Sequence, residues 1–329
     1  MLYKQLYIIG NGFDIHHDIP SRYSDFCNWL KDNDFDLLER LHYFYRIDKK
    51  WWYQFEYKLG YPDMNDYIAK TASEAQPNYG SDDFRDRDYY VGQFVAEDEI
   101  GKLVFDIRTA FKSWIISLCA PNIDKKILID KDAAFFITFN YTDTLQKLYN
   151  IPLSQILFIH GSVVAGTDLV LGHNRLSDDL NLEFSLKSPI PPDNLDEEEL
   201  IEWYNTYCDD GEDYIYQSVR EEVVSQICNL KKDTKSIIDV NRGIFESLSD
   251  VQTIYIYGFS FSLIDETYFD EIVNRVDISI TNWIVSYYSD GDKEKAQSFF
   301  YKKGIKDIKV KYIKLSDLLL VKQLRLPFD

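Results

Sequence analysis

The stretch Leu6-Tyr7-Ile8-Ile9-Gly10-Asn11-Gly12-Phe13-Asp14 decides how the chain is read. Its first four residues are apolar and suit a buried strand. They end in two glycines separated by one residue, where a tight turn into a helix is expected. Glycines at such a turn let a backbone come close to a pyrophosphate. The third glycine of the dinucleotide fingerprint is absent, so taken alone the motif is equally a plain strand–helix turn. Just downstream, Asp18-Ile19-Pro20-Ser21-Arg22 holds a proline that stiffens the loop. Arg22 has the fork geometry to meet a phosphate or carboxylate, or is a surface arginine after a turn.

Five further apolar runs read as strands: Ala134–Phe139, Ile156–Ile159, Thr253–Tyr257, Ile278–Tyr287 and Val310–Leu315. Helical spacing of apolar residues lies between the later ones, over 142–149, 265–276 and 293–303. Strands alternating with helices predict an α/β protein with a parallel sheet covered on both faces. The expected fold is a Rossmann-like parallel sheet of about six strands with two mainly helical insertions. One domain spans 1–329. Its core comprises 1–26, 131–174 and 249–329, and the insertions are 27–130 and 175–248. Pro189, Pro191 and Pro192 mark a break in the second insertion. The acidic run from Asp193 to Glu199 reads as a solvated face or a first helical turn.

Each remaining candidate sits where a strand ends, which is where doubly wound sheets bind ligands. Thr138-Phe139-Asn140 closes the second strand. Asn140 offers a donor and an acceptor to a sugar hydroxyl, or caps the next helix. His160 closes the third, in Ile159-His160-Gly161, and is a candidate general base. His173, in Leu171-Gly172-His173, is a weaker candidate. Gly258-Phe259-Ser260 follows the fourth strand, and Gly258 and Ser260 can present N–H and O–H groups to phosphate or ribose. Glycine loops for phosphates, an asparagine for a ribose and a histidine for proton transfer together suit a nucleotide. Trp51, Trp52 and Glu56 are core residues of a helix or a cover for the pocket; Trp52 and Glu56 are spaced to share a helix face.

Composition narrows the partners. The 329 residues carry a net charge of −19, which repels nucleic-acid backbones and makes extended DNA or RNA an unfavourable ligand. The 25 Tyr, 21 Phe and 6 Trp serve as core rings or as stacking platforms for a base. Cys27, Cys119, Cys208 and Cys228 form no CxxC pair, so neither a zinc ribbon nor a disulfide framework is expected, and no metal is called for. No apolar stretch approaches the roughly 20 residues of a membrane span, and Met1 to Gln5 lead directly into a strand. A bacterial cytoplasmic location and no membrane partner are expected.

The order of these motifs resembles the sirtuin-like NAD-binding fold. Gly10 to Asp14 with Ile19-Pro20 is similar to that family's glycine loop, Thr138-Phe139-Asn140 to its Thr-Gln-Asn motif, Ile159-His160-Gly161 to its Leu-His-Gly motif, and Gly258 to Phe261 to its Gly-Thr-Ser loop. Over nearly the full length the chain resembles the AbiH family of bacterial phage abortive-infection proteins. That likeness is carried by Ile8 to Asp14, Trp52 to Glu56, Phe136 to Tyr141, Ile159 to Gly161 and Leu171 to His173.

The resemblance implies NAD as substrate, bound through Gly10, Asn11, Gly12, Phe13, Asp14, Arg22, Thr138, Gly258 and Ser260, with Asn140 and His160 catalytic. Three departures weigh against a protein deacylase. Thr142 stands where sirtuins have an aspartate, Tyr23 stands where they have an arginine, and the four-cysteine zinc module is missing. The expected function is an anti-phage NAD glycohydrolase cleaving the nicotinamide–ribose bond. The alternative is a non-catalytic NAD or ADP-ribose sensor that controls a partner effector. A homo-oligomer or a phage-derived trigger fits either; a ligand-free interaction protein and a nuclease are the remoter readings.

Overall fold

A computed structural model describes residues 3–78, 80–185, 192, 195–207 and 213–320. Pro189, Pro191, Cys208 and the first two residues of the acidic run, Asp193 and Asn194, lie outside the described residues.

Six parallel strands form one sheet: β1 (Gln5–Ile9), β2 (Ala134–Thr138), β3 (Ile156–Phe158), β4 (Thr253–Tyr257), β5 (Asn282–Ser286) and β6 (Val310–Ile313). Their order is β3-β2-β1-β4-β5-β6, the doubly wound order of a Rossmann-like fold. The strand order reverses between β1 and β4.

Side chains alternate across the sheet as period-2 geometry requires. On one face Tyr7 of β1 stacks between Phe136 of β2 and Tyr255 of β4, with centroids 4.8 and 4.4 Å apart. On the other, Leu6, Ile8, Phe135, Ile137, Ile254 and Ile256 join one buried cluster. Helix α1 (Asn11–His16) and helix α2 (Thr144–Tyr149) contribute Phe13, Leu145, Leu148 and Tyr149 to the Tyr7 face. Helix α3 (Glu266–Arg275) and helix α4 (Asp290–Lys302) contribute Phe269, Ile272, Ala296 and Phe300 to the opposite face.

Where element starts differ from the apolar spacing, local polar bonds explain it. β5 begins at Asn282 rather than Ile278 because Asp277 gathers the amide of Ser279 at 2.9 Å and the hydroxyl of Thr281 at 2.8 Å into a turn. α4 starts earlier than the apolar spacing shows, at Asp290, because Ser289 and Asp292 form a reciprocal capping box.

The chain divides into two compact units. The sheet unit draws on 1–34, 108–171 and 232–329, and the second unit on 35–107 and 172–231. These borders differ from those of the expected core. Residues 108–117 and 232–248 go with the sheet because Phe111 and Trp114 pack on Phe26, and Phe245 and Leu248 join the sheet core. In the second unit, Trp51 to Gln54 is a 3-10 turn followed by a short helix, Phe55–Lys58. Trp52 is buried there and stacks on Phe55 at 5.5 Å.

Among the described residues no helix is long and apolar enough to cross a membrane.

Candidate functional site

The loops leaving β1 and β4 lock together backbone to backbone. The Gly10 amide donates to Tyr257 O at 2.9 Å, the Gly12 amide to Gly258 O at 2.8 Å, and the Phe13 amide to Gly10 O at 2.9 Å. Gly258 has φ +65°, and its own amide donates to Ser286 Oγ at 2.8 Å. A Cβ on Gly258 would lie 2.0 Å from Phe13 N, and one on Gly12 would lie 2.8 Å from Gly258 Cα. Here the partner that comes close to these glycines is another backbone. The amides of Gly10, Gly12, Phe13 and Gly258 all donate within the protein.

Two side chains fix the rest of the first loop. Asn11 Nδ2 donates to Ser21 O at 2.7 Å, and Ser21 Oγ returns a bond to Asn11 Oδ1 at 2.6 Å. The pair ties the glycine loop to the Ile19-Pro20 segment. Arg22, next in sequence, is exposed at the start of helix Tyr23–Asn33, where its backbone amide donates to Asp25. His17 is fully buried behind Phe13. Its Nδ1 donates to Phe13 O at 2.7 Å, so Nε2 accepts from the Tyr149 hydroxyl, also at 2.7 Å. Burial holds this imidazole neutral, down to about 4.

Asp14 is the buried acid of the site. Its Oδ2 accepts from Thr142 Oγ1 at 2.6 Å and its Oδ1 from Thr144 Oγ1 at 2.7 Å. Burial pushes the carboxyl up to about 6, although the hydrogen bonds from Thr142, Thr144 and Asn140 pull the other way. Asn140 stands beside it at the end of β2, 5% exposed. Asn140 Nδ2 donates to Gly10 O at 3.1 Å and its amide to Thr138 Oγ1 at 3.1 Å. Among the described residues its Oδ1 is buried without a hydrogen-bond partner, which is the exception among buried polar groups.

His160 turns to a different set of partners. It leaves β3 at 2% exposure with its ring edge-on to Phe139 (5.3 Å) and flanked by Tyr268 (5.7 Å) and Tyr141 (6.0 Å). Its Nε2 lies 3.4 Å from Lys232 Nζ and 3.4 Å from Asp265 Oδ1. Those two charges are 3.7 Å apart. Burial alone would raise the Asp265 carboxyl, but Lys232 and then His160 outweigh it and hold it below the usual range.

Thus Gly10, Asp14, Thr138 and Asn140 meet at one place, and His160 leaves the neighbouring strand toward a buried ion pair. Ser260 is exposed, and its carbonyl takes Lys295 Nζ at 2.5 Å. His173 belongs to the second unit, where Nδ1 accepts from the Arg175 amide and Nε2 meets Ile227 O. Both its nitrogens are engaged, as in a structural histidine. Sequence reasoning missed Lys232, Asp265, Thr142 and Thr144 as site members. Asp265 had a readable signal, an acid closing the loop after β4. Lys232 had none, since Lys231-Lys232-Asp233 reads as a surface charge run. Among the described residues no group of three or more His, Cys, Asp or Glu side chains is arranged to hold a metal.

This fold and site define a Rossmann-like α/β protein with buried polar and titratable groups at the carboxyl edge of its sheet. A model of the family described as bacteriophage abortive infection AbiH matches residues 6–287. The chain therefore belongs to the AbiH family, and its role is in phage abortive infection. No curated protein and no solved structure matches it.

Proposed function

We propose that the chain serves abortive infection by hydrolysing the nicotinamide–ribose bond of NAD. The observation that carries this reading is Asn140 Oδ1, a buried acceptor with no partner among the described residues, set between Gly10 and Asp14 beside the point where the strand order reverses. Nucleotides bind at that point in doubly wound sheets. The sirtuin-like order of the motifs supports NAD as that nucleotide. The Gly10–Gly12 and Gly258–Ser260 loops flank the diphosphate, with Phe13, Asp14, Arg22 and Thr138 completing the surround.

In this reaction the bond between C1′ and the pyridinium nitrogen breaks, and its electron pair leaves on nicotinamide. The oxygen of water bonds to C1′, through an oxocarbenium-like state such as glycoside cleavage uses. His160 takes the released proton and passes it to solvent. Asn140 Oδ1 holds the water or a ribose hydroxyl. A positioned general base contributes roughly 10² to 10⁴-fold. The products are nicotinamide and ADP-ribose. No step calls for a metal.

The test is to incubate the purified chain with NAD, with and without phage lysate, and quantify nicotinamide. Release that falls at least tenfold in both Asn140→Ala and His160→Ala supports the reading. No release under either condition overturns it, and release that survives both substitutions overturns the site. One observation favours a second reading, a sensor that binds NAD or ADP-ribose without turnover: the loop amides already donate within the protein. Calorimetry showing tight binding with no nicotinamide formed selects it.

A further inference from the structure

The charged groups beside His160 form a triangle. Nε2 is 3.4 Å from Asp265 Oδ1 and 3.4 Å from Lys232 Nζ, and the third side is 3.7 Å. All three side chains are buried: Lys232 is 2% exposed, Asp265 8% and His160 2%. The groups differ in what they can do. A lysine ammonium only donates, a carboxylate only accepts, and a neutral imidazole carries its single proton on one nitrogen or the other. Nε2 can therefore donate to Asp265 or accept from Lys232, but not both. The choice fixes which nitrogen of His160 is free to act as a base.

We propose that Asp265 and Lys232 are positioning residues for His160: Asp265 accepts the Nε2 proton, which leaves Nδ1 as the basic nitrogen, and Lys232 keeps the buried Asp265 carboxylate ionised.

Distance favours this arrangement over its mirror: Nε2 is the nearer donor to Asp265 Oδ1, at 3.4 Å against 3.7 Å for Lys232 Nζ, and among the described residues Oδ1 has no better hydrogen bond. A buried carboxylate left without a donor costs several kcal/mol in general, which weights the balance toward giving it the proton. Three aromatic rings hem in the imidazole, Phe139 at 89°, Tyr268 at 61° and Tyr141 at 30°, and keep Nε2 on the side of the charged pair.

The charge count gives each partner a distinct effect. With a neutral imidazole the cluster is neutral: one cation, one anion. Proton uptake by His160 leaves it at +1. Asp265 favours that uptake and Lys232 opposes it. Removing Lys232 leaves an anion beside the imidazole and makes proton uptake easier. Removing the Asp265 charge leaves a cation and makes it harder. Among the described residues the titratable groups facing the ring are Lys232, Asp265, Tyr141 and Tyr268.

The inference rests on His160 as the general base proposed above, but its first test does not need activity. The full chain is labelled with 15N at histidine, and the imidazole nitrogens of His160, assigned by loss of its signals in His160→Gln, are read by long-range 1H–15N NMR at pH 8. A protonated Nε2 and an unprotonated Nδ1 are expected; a protonated Nδ1 overturns the inference, whether or not NAD is cleaved. The second test is kinetic. Lys232→Met is expected to move the acid limb of kcat/KM for NAD to higher pH, and Asp265→Asn to move it lower while reducing kcat at least tenfold with KM within about threefold. Lys232→Arg, which keeps the charge, restores the wild-type limb. Limbs that move together, or stay put in both variants, overturn it. Absence of nicotinamide release from the wild type defeats the hydrolase reading alone, and the NMR result then decides the inference.

Discussion

Thr142 Oγ1 donates to Asp14 Oδ2 at 2.6 Å across a sequence separation of 128 residues. With Thr144 on the other oxygen, it joins the turn after β2 to the first turn of α1. This is why α2 starts at Thr144 although the apolar spacing predicts 142: the threonine hydroxyls serve the buried acid. The arrangement accommodates a carboxylate in a place where a neutral group costs less. Above about pH 6 Asp14 is ionised, and ionising it in the fold is harder than in the unfolded chain.

The sign of the pH dependence follows. A carboxyl whose folded value is raised contributes stability at low pH, and that contribution is lost as pH rises through about 6. Asn at this position mimics the protonated acid. Asp14→Asn is therefore expected to gain on the wild type as pH rises from 4 to 7, by up to roughly 3 kcal/mol. Urea unfolding of both proteins at pH 4.5 and 7.5 measures the difference. A gap that does not change with pH contradicts this account of Asp14.

Thr142→Val removes one donor to the same carboxylate and keeps the side-chain volume close. At pH 7.5 the loss should be about 1.5–3 kcal/mol, as for a hydrogen bond to a charged group. At pH 4.5, where Asp14 holds its own proton, the loss should shrink. Equal losses at the two values would place the cost in packing rather than in the hydrogen bond.

His17 works with the opposite sign. Its folded value is depressed to about 4 by burial, below the ordinary 6.5. The stability it contributes is fully present above pH 6.5 and is lost as pH falls toward 4, roughly 3 kcal/mol in all. Asp14 and His17 therefore offset one another between pH 4 and 6, and the wild type should show a shallow acid limb. Tyr149→Phe tests the link from the other end. It removes the donor to His17 Nε2 and the acceptor of the Ile127 amide, which is 3.0 Å from the hydroxyl. A loss of about 2–4 kcal/mol at pH 7.5 is expected by thermal or urea unfolding, from two buried groups left without partners. A loss below 1 kcal/mol would mean that neither bond matters.

How much of this was readable in advance depends on the range of the interaction that carries it. The six strands were legible because each is rich in apolar, β-branched or aromatic residues and bounded by turn residues, and their parallel pairing follows from the helices between them. Gly10 and Gly258 were legible as special positions, yet the reason for them was not. A glycine signals close approach without naming what approaches, and here it is the backbone of the other loop. Asn140 and His160 were legible by their place at strand ends. Lys232 was not, because nothing local distinguishes a fully buried lysine from its exposed neighbour Lys231; its long-range contacts with Asp265 and His160 do so. The Trp52–Glu56 spacing suggested one helix, but the turn from Trp51 to Gln54 is 3-10, which shifts the faces out of register.

Gly258 and Gly166 separate the two costs of replacing a glycine. Both adopt left-handed backbone, at φ +65° and +68°. A Cβ at Gly166 meets nothing within 4 Å, so Gly166→Ala should lose only the roughly 1–2 kcal/mol of placing an L-residue in that region. At Gly258 the same Cβ falls 2.0 Å from Phe13 N and 2.4 Å from Gly12 C, with no flexible side chain to yield. The loops must separate, which breaks the Gly12 amide bond to Gly258 O and shifts Gly10 away from Asn140. Gly258→Ala should therefore cost more than roughly 3 kcal/mol, the backbone term with one lost buried hydrogen bond and displaced packing added. Urea unfolding of the two variants side by side checks the contrast. Equal losses would mean that the β1 and β4 loops part easily, and the tight seam between them would no longer account for the glycines there.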